Sequence, residues 1–348
     1  MEEKERADRG LAFLLRYENV AWYEPGQVRI LDRRVYPMET RFVVCNRHEE
    51  VAQAIADMVT QSFGPYQAAG MGLALAAEEC RGMGEEEQRA YLKAAAYTLT
   101  HARPTTVKAM EAAVAGPLEA ALTALERGKD TAQAAFDQAV CEVDSLYRRY
   151  IRVGELLASK FPKGGTVMTQ CYAEIYVGMM LRACREAGND VKVICPETRP
   201  YYQGARLTAS CVKDMGFDVT VITDNMPGYV MKKKGVDVFT SAADVITMDG
   251  YIVNKIGTFQ IALCAHHWGI PYLVTGRPDR GHPTIDTVTI EERDPNLAVE
   301  SLGQRLVMEG VKGYYPAFDI TPPHLCSGVV TDQGILSPFD LCSYDWNK

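Results

Sequence analysis

Apolar residues change their spacing twice along the chain, and the changes separate three kinds of local structure. Between residues 10 and 45, apolar runs such as "VAWYEPGQVRIL" and "RFVVCN" surround turn residues, which predicts strands joined by a turn at Pro25-Gly26. From about residue 48 to 160, Ala-rich segments carry apolar residues three or four positions apart, a spacing typical of helices. We therefore expect an N-terminal domain over residues 1–160, with short strands followed by helices.

The spacing changes again after the turn residues "PKGG" at 162–165. Short apolar runs such as "VKVICPE" and "IPYLVTG" now alternate with helical segments such as "YVGMMLRACREAG". Strands that alternate with crossover helices are typical of a parallel sheet covered on both faces. The predicted fold class is therefore α/β, with the parallel sheet in a C-terminal domain over residues 161–348.

Composition and charge narrow the classes of function. The 348 residues are 47% hydrophobic and 24% charged, as in an ordinary soluble globular protein of two domains or one large domain. The net charge of −8 argues against extensive nucleic-acid binding. No apolar run approaches the roughly 20 residues that span a bilayer, so we expect no membrane segment.

The start of the chain and its cysteines indicate a cytoplasmic protein. The charged stretch "MEEKERADRG" is unlike a secretory signal. Ten cysteines are scattered without CxxC pairs or zinc-ligand spacing, which favours free thiols in a reducing compartment and argues against structural zinc.

Chemically active side chains follow the predicted strands, and ligands of parallel sheets bind at the carboxyl ends of strands. Cys171 ends the first strand, Gln203 follows the second and Asp244 follows the fourth, while Asn254 and Lys255 lie in "TMDGYIVNKIGT" at 247–258. Glu197, Arg199 and Arg206 also follow the second strand. This polar collection suits a small, oxygen-rich, anionic substrate.

Each of these residues also has a purely structural interpretation. A cysteine at a strand end is commonly a small buried hydrophobe, and an aspartate after a strand is commonly a helix N-cap. Asn and Lys in a loop are commonly turn and surface residues. Their convergence at one edge of the predicted sheet is what favours a functional site.

Common nucleotide and hydrolase motifs are missing. "GMGLAL" at 70–75 lacks the last glycine of the dinucleotide fingerprint GxGxxG and lies in a helical context. The sequence contains no P-loop, HExxH or GxSxG motif.

A series of longer motifs resembles one family. The motifs "ETRPYYQGARLTA", "VTVITDNM", "AAD", "NKIGT", "IEERDP" and "PAFDITP" occur in order over residues 197–322, after "ILDRRVYP" at 30–37 and "RPTTV" at 103–107. Together they resemble the family of methylthioribose-1-phosphate isomerase, which includes ribose-1,5-bisphosphate isomerase and the regulatory subunits of translation initiation factor 2B. The resemblance covers nearly the whole chain.

The resemblance implies a helical N-terminal domain, a Rossmann-like C-terminal domain and a homodimer. It implies conversion of an aldose 1-phosphate to a ketose 1-phosphate without a metal or nucleotide cofactor. By motif, Cys171 matches the active-site cysteine and Asp244 the proton-donating aspartate. Substrate-binding positions match Arg103, Gln203, Asn254 and Lys255.

The implied chemistry begins with ring opening. An aldose 1-phosphate is locked as a ring because its anomeric oxygen is esterified, so an acid must protonate the ring oxygen. Hydrogen then moves from C2 to C1, either as a proton through an enolate or as a hydride, and the sequence leaves both routes open. A carboxyl group in a dry pocket can have a raised pKa and act as the acid near neutral pH.

The sequence departs from the family pattern around the predicted site. The phosphate-contacting Arg-Gly-Ala-Pro loop is replaced by "TQSFGPYQAAG", which has no Arg. Gln170 and Tyr172 flank Cys171 where the enzymes have His and Asn, Glu174 replaces Gly, and Val245 replaces the Arg after the aspartate. We expect the Tyr172 phenol to reshape the pocket and the Glu174 carboxylate to repel a second phosphate. The predicted substrate therefore has one phosphate and an uncharged group at C5.

Three interpretations follow. The first is a sugar-phosphate isomerase with methylthioribose 1-phosphate or a related 5-substituted ribose 1-phosphate as substrate. The second is a non-catalytic binding protein like the initiation-factor subunits, which the presence of Cys171 with Asp244 disfavours. The third is a nucleotide-dependent Rossmann enzyme, which the missing Gly-rich fingerprint disfavours.

Overall fold

The computed structural model describes residues 6–103 and 107–346. The chain forms two compact units, Met1–Arg148 and Arg149–Lys348. Helices and strands both occur in large number, so the predicted α/β class is confirmed. Among the described residues, no helix is long and apolar enough to cross a membrane.

The first unit opens with a small antiparallel sheet. Helix α1 (Tyr17–Val20) leads into strands β1 (Ala21–Glu24), β2 (Gln27–Leu31) and β3 (Phe42–Cys45), which pair in that order. The predicted turn joins β1 to β2, because Glu24 pairs with Gln27 across the intervening Pro25-Gly26. Gly26 has φ +85°, a backbone conformation that glycine adopts without steric cost.

Helices make up the rest of the first unit. They are α2 (His48–Ala56), α3 (Gly64–Glu79), α4 (Glu85–Thr100), α5 (Val107–Glu126) and α6 (Thr131–Ala158), which ends beyond the unit boundary. Residues 70–75, "GMGLAL", are buried inside α3, so they form part of the helical core rather than a nucleotide loop.

The second unit alternates strands and helices. Its strands are β4 (Thr166–Met168), β5 (Lys192–Pro196), β6 (Asp218–Ile222), β7 (Val238–Ala242), β8 (Val245–Ile246), β9 (Ile252–Lys255), β10 (Tyr272–Thr275), β11 (Glu300–Ser301), β12 (Gln304–Arg305), β13 (Phe318–Thr321), β14 (Gly328–Val330) and β15 (Ile335–Leu336). Its helices are α7 (Ile175–Glu186), α8 (Ala209–Asp214), α9 (Pro227–Lys234), α10 (Thr258–His267) and α11 (Asn296–Val299).

The main sheet of the second unit has the strand order β15-β14-β10-β7-β4-β5-β6 within the described residues. All neighbouring strands from β14 to β6 are parallel, and β15 pairs antiparallel at one edge. The chain builds outward from β4 to β6 and then resumes on the other side of β4 with β7. This is the strand order of the Rossmann fold, which places its switch point between β4 and β7.

The buried strands explain why this sheet forms. β10 is buried along its whole length, and β7 along all but its last residue, so both strands are covered on both faces. Phe239 and Tyr272 stack across these two neighbours with ring centroids 4.4 Å apart. Burial of side chains of this size stabilises the sheet by roughly 1.5–3 kcal/mol for each residue.

One sequence prediction about this sheet was wrong. We expected Asn254 and Lys255 to lie at the edge of the parallel sheet, but they end β9, the central strand of a separate antiparallel sheet ordered β13-β9-β8. The local pattern of strand, turn and helix is as predicted, because β9 is followed by Gly257 and α10. Strand length and apolar content alone do not say which neighbour a strand pairs with.

Candidate active site

Cys171 lies just beyond the carboxyl end of β4, at the switch point of the sheet. Its Sγ–H donates to Gln203 Oε1 at 3.4 Å, and its backbone N–H donates to Thr198 Oγ1 at 3.2 Å. The Thr208 hydroxyl donates to the Cys171 carbonyl. The segment that follows β5 therefore holds the cysteine through its side chain, its amide and its carbonyl.

The backbone around Cys171 is strained. Cys171, Glu174, Thr198 and Tyr202 have φ values of +59°, +46°, +62° and +56°. Left-handed backbone costs non-glycine residues about 1–3 kcal/mol each and persists only where surrounding contacts enforce it. Such strain concentrates where a side chain must be aimed at a ligand.

A narrow cavity with room for about one water molecule lies against Cys171. Its polar lining comes from the ends of three neighbouring strands, through residues such as Thr169, Thr240, Ser241 and Thr275. Burial raises the pKa of the Cys171 thiol to about 11, and Lys255 opposes this shift while Asp244 adds to it. Cys171 is consequently a neutral thiol at pH 7, able to donate a proton but poor as a nucleophile.

Lys255 brings a buried cation to the same site. It is only 5% exposed, and its Nζ lies 4.8 Å from the centre of the Phe318 ring and 3.5 Å from the Tyr315 hydroxyl. Burial lowers the pKa of Lys255, while Cys171 and Asp244 shift it upward. A buried ammonium with aromatic neighbours binds an anionic ligand strongly, because Coulomb attraction is stronger where the dielectric constant is low.

Asn254 and Asp244 complete the group on this side of the site. The Asn254 amide Nδ2 donates to Thr258 Oγ1 at 3.0 Å. Asp244 is exposed in the turn between β7 and β8, and its N–H donates to Val253 at 2.9 Å. The structure therefore brings Cys171 and Gln203 into contact, and couples both Asp244 and Lys255 to Cys171 electrostatically.

Arg103, the remaining predicted site residue, belongs to the first unit. It is half-buried and follows the end of α4. The rest of the "RPTT" part of its motif, residues 104–106, lies outside the described residues.

Two guanidiniums that follow β5 have structural partners. Arg199 donates to the Leu297 carbonyl at 3.1 Å and also to the Glu300 carbonyl. Arg206 donates to the Tyr201 carbonyl at 3.1 Å. Both side chains therefore hold the loop after β5, which carries Gln203.

The residues that depart from the family pattern occupy different places. Gln170 is buried and donates from Nε2 to the Ile256 carbonyl at 3.1 Å. The Tyr172 hydroxyl lies 3.9 Å from Cys211 Sγ of α8, and Tyr172 is not among the residues that line the cavity beside Cys171. Glu174 is 1% exposed at the start of α7. Among the residues that differ from the family pattern, Gln170 thus links the cysteine segment to the turn after Lys255 by a hydrogen bond.

A buried guanidinium lies behind the loop that lacks the family's Arg. Arg33 is fully buried and donates to the Gln61 carbonyl and, at 3.4 Å, to the Leu14 carbonyl. A Cβ built on Gly64, at the start of α3, would lie 3.2 Å from Arg33 Nη1. The "TQSFGP" segment therefore packs against the Arg33 guanidinium, which belongs to the same unit.

Sequence reasoning missed Asp319. Its carboxylate accepts hydrogen bonds from the backbone N–H of Gly257 at 2.7 Å and of Phe259 at 3.1 Å. Burial raises the pKa of Asp319 to about 6, against the lowering effect of these bonds and of Lys255. The available signal was its place in "PAFDITP", but only the pairing of β13 with β9 brings it to the turn.

One group of side chains in the described residues has the ligand types of a metal site. His48, Glu49 and Glu79 lie close together in the first unit. Glu79 accepts from the His48 backbone N–H at 2.7 Å, lies 2.7 Å from His48 Nδ1 and accepts from the Tyr91 hydroxyl. These bonds cap the start of α2, so the group has a structural explanation.

Comparison with known proteins identifies the family. The model of the "Initiation factor 2 subunit family" matches residues 66–338. The chain is 35% identical to the methylthioribose-1-phosphate isomerase of Anaeromyxobacter dehalogenans over 325 residues, covering 89% of this chain and 90% of that protein. It is 32% identical to the enzyme of the same name from Thermotoga neapolitana over 324 residues, covering 90% and 93%.

Solved structures give the same result. The fold is similar to that of 5-methylthioribose 1-phosphate isomerase from Pyrococcus horikoshii, with TM-score 0.81, 30% identity and coverage of 94% of this chain and 95% of that one. It is also similar to the delta subunit of translation initiation factor eIF-2B from A. fulgidus, with TM-score 0.79, 31% identity and coverage of 92% and 96%. The chain therefore belongs to the initiation factor 2 subunit family and, within it, to the methylthioribose-1-phosphate isomerases.

Proposed function

We propose that this protein is an aldose–ketose isomerase that converts methylthioribose 1-phosphate, or a related 5-substituted ribose 1-phosphate, into the ketose 1-phosphate. Family membership assigns the reaction class, and the reaction belongs to salvage of methionine or of 5-deoxypentoses. The observation that carries the proposal is the neutral Cys171 thiol, bonded to Gln203 and coupled to Asp244 and Lys255 at the sheet's switch point.

The chemistry assigned to these residues balances without an external oxidant. The Asp244 carboxyl protonates the ring oxygen, the bond between C1 and the ring oxygen breaks, and C1 becomes an oxocarbenium that keeps its phosphate ester. The C2–H bond then breaks and a C1–H bond forms while the C2 hydroxyl loses its proton, so C2 is oxidised to a ketone and C1 is reduced to a CH2 that bears the phosphate. The proton lost from the C2 hydroxyl balances the one that Asp244 supplied. Cys171, as a neutral thiol, takes part in this hydrogen movement beside C1 and C2. No resident metal or nucleotide cofactor is required by this balance.

Binding falls to the remaining polar residues. Lys255 offers a point charge and Asn254 both a donor and an acceptor to phosphate or sugar hydroxyls. Gln203 and Arg103 complete the proposed contacts. The domain organisation that goes with this function is an N-terminal domain over residues 1–160 and a Rossmann-like catalytic domain over 161–348. We further propose that the enzyme is a cytoplasmic homodimer.

Turnover of a set of aldose 1-phosphates tests the function. We expect measurable kcat/KM for methylthioribose 1-phosphate, 5-deoxyribose 1-phosphate or ribose 1-phosphate, and the lowest value for ribose 1,5-bisphosphate. Glu174 follows Cys171 by three residues in the sequence, and we expect its carboxyl group to disfavour a second phosphate. A bisphosphate that reacts best would show that our interpretation of Glu174 is wrong.

Substitution of the cysteine tests its role. Cys171→Ser should lower kcat by several orders of magnitude in a folded protein, because a hydroxyl is a much weaker acid than a thiol. Cys264→Ser is the matched control, since Cys264 is half-buried on α10 and has no proposed role. Near wild-type turnover in Cys171→Ser would contradict the mechanism.

The similarity to an initiation-factor subunit supports one alternative function, that of a non-catalytic binding protein. If the folded protein turns over none of the four substrates, and translation factors co-purify with it, this alternative replaces the isomerase proposal. A thermal-shift response to the aldose 1-phosphates would still reveal a sugar-phosphate site.

A further inference from the structure

The turn that follows Lys255 is held by a carboxylate from another strand. In the β9–β13 pair, Asp319 lies opposite Asn254 and Phe318 lies opposite Lys255. Opposing residues of an antiparallel pair project to the same face. Asp319 is thereby placed beside the proposed substrate-binding pair, although it is distant from that pair in sequence.

The Asp319 carboxylate bonds to two amides of this turn. Gly257 N–H donates at 2.7 Å, and Phe259 N–H donates at 3.1 and 3.2 Å to the two carboxylate oxygens. Gly257 has φ +99°, a left-handed backbone conformation that lets amides of the same turn converge on one anion. The carboxylate therefore fixes both the path of the turn and the first residues of α10.

The ionised Asp319 carboxylate is stabilised by the N-terminus of α10 but destabilised by burial. The N-terminal amides and dipole of α10 stabilise an anion. Asp319 is half-buried, however, and burial raises its pKa to about 6. The titratable groups that face it are Lys255 on β9, which lowers the pKa of Asp319, and the neutral Tyr272 phenol on β10, whose pKa is raised by burial and further by the carboxylate.

The turn is also held from the opposite side. Gln170, next to Cys171, donates to the Ile256 carbonyl, and its Nε2 lies 3.1 Å from the position a Gly257 Cβ would take. Gln170 and Asp319 thus bind the two ends of one peptide group, the Ile256 carbonyl and the Gly257 N–H. A shift of this turn would displace Lys255 and Asn254 relative to Cys171.

We propose that Asp319 is a positioning residue that locks the Ile256–Phe259 turn and thereby holds Asn254 and Lys255 in place for the anionic substrate. The kinetic consequences of this inference rest on the proposed isomerase function. Its structural consequence, protection of the Gly257 and Phe259 amides from hydrogen exchange, is independent of that function. Asp319 contacts backbone amides, so its effect on the substrate is indirect.

The test compares Asp319→Asn with wild type in kinetics and in stability. We expect kcat/KM at pH 7.5 to fall about tenfold, mainly through a higher KM, because loss of one charge-assisted hydrogen bond loosens a binding turn. The difference should shrink toward unity at pH 5, where Asp319 itself is protonated. Thermal stability at pH 7.5 should be unchanged or higher, since the raised pKa means that ionised Asp319 costs folding free energy above about pH 6.

A purely structural role would give a different pattern. In that case Asp319→Asn would lower the melting temperature at pH 7.5 and leave KM unchanged in the folded fraction. The matched control is Asp130→Asn, since Asp130 accepts from the Gln133 N–H at the start of α6 and is exposed in the first unit. It should leave both KM and its pH dependence as in wild type.

Hydrogen exchange separates failure of this inference from failure of the proposed function. Exchange of the Gly257 and Phe259 amides, followed by mass spectrometry, should be at least tenfold faster in Asp319→Asn than in wild type. If wild type turns over no aldose 1-phosphate but the two amides exchange faster in Asp319→Asn, the isomerase proposal fails while the locking of the turn by Asp319 stands. Unchanged exchange and unchanged KM, or failure of Asp319→Asn to fold, would overturn the inference.

Discussion

Thr198 shows how individual residues carry the strain of the site. It is 1% exposed with φ +62°, although a β-branched side chain disfavours left-handed backbone. Its hydroxyl accepts from the Cys171 N–H and its own N–H donates to Asp224 Oδ1 at 2.7 Å. These contacts enforce a conformation that the residue would not adopt alone, and they orient the cysteine in return.

Paired substitutions at Thr198 should separate strain from hydrogen bonding. Thr198→Ala loses the hydroxyl and keeps the strain, whereas Thr198→Gly loses the hydroxyl and relieves the strain. We expect the Gly variant to be more stable than the Ala variant by about 1 kcal/mol, a rise of about 2–4 °C in melting temperature. Both variants should lose kcat/KM by about tenfold, because the Cys171 amide loses its acceptor.

Thr208 provides the control for this comparison. It is buried in the same segment but has φ −64°, which suits any residue. Thr208→Ala should therefore be more stable than Thr208→Gly, the reverse of the order at Thr198. The same order at both positions, measured by thermal unfolding, would refute the strain argument.

At the scale of elements, the site depends on short segments between regular structure. β9 contributes Asn254 and Lys255, the turn at Gly257 redirects the chain, and α10 follows. The segment after β4 contributes Cys171 and Gln170, and the Gln170 amide crosses to the Ile256 carbonyl. Segments that follow strands of two different sheets are thus joined by a partly buried hydrogen bond from a side chain.

Removal of this bond should affect binding more than folding. Gln170→Ala is expected to raise KM about tenfold with a smaller change in kcat, because a hydrogen bond of this kind contributes about 1 kcal/mol to the placement of the turn. Gln333→Ala is the control, since Gln333 also donates to a backbone carbonyl, that of Asp345, but far along the chain and on an exposed segment. An unchanged KM in Gln170→Ala would show that Asp319 alone suffices.

At the scale of the whole molecule, each compact unit has its own buried apolar core. The core of the first unit includes Val51, Leu73 and Leu99, and that of the second includes Phe239, Ile252 and Val274. Apolar burial of this extent drives folding of each unit. Cys171, the proposed catalytic residue, and its electrostatic partners lie in the second unit, whereas Arg103 lies in the first.

Assembly is the prediction that belongs to this scale. We expect a homodimer, on the strength of family resemblance, and light scattering at micromolar concentration should give about twice the chain mass of 38.5 kDa. A mass of one chain at that concentration would contradict the dimer. Dilution to nanomolar concentration, with turnover recorded in parallel, would show whether activity requires the dimer.

Local patterns in the sequence determined much of this protein. Alternation of apolar runs with helical segments predicted the parallel strands, because a strand buried on both faces is apolar along most of its length. Pro25-Gly26 predicted the hairpin because its backbone preferences are intrinsic to those residues. Motif order predicted the family, and the carboxyl-end rule placed Cys171 and Asp244 beside the switch point.

Tertiary structure alone decided the rest. The sheet to which β9 belongs, the bond from Gln170 to Ile256 and the position of Asp319 all depend on pairings between residues far apart in sequence. The placement of Tyr172 beside Cys211 depends on how α8 packs. Local propensity carries no information about such partners, because burial and long-range hydrogen bonds choose among strands and turns that are equally favourable in isolation.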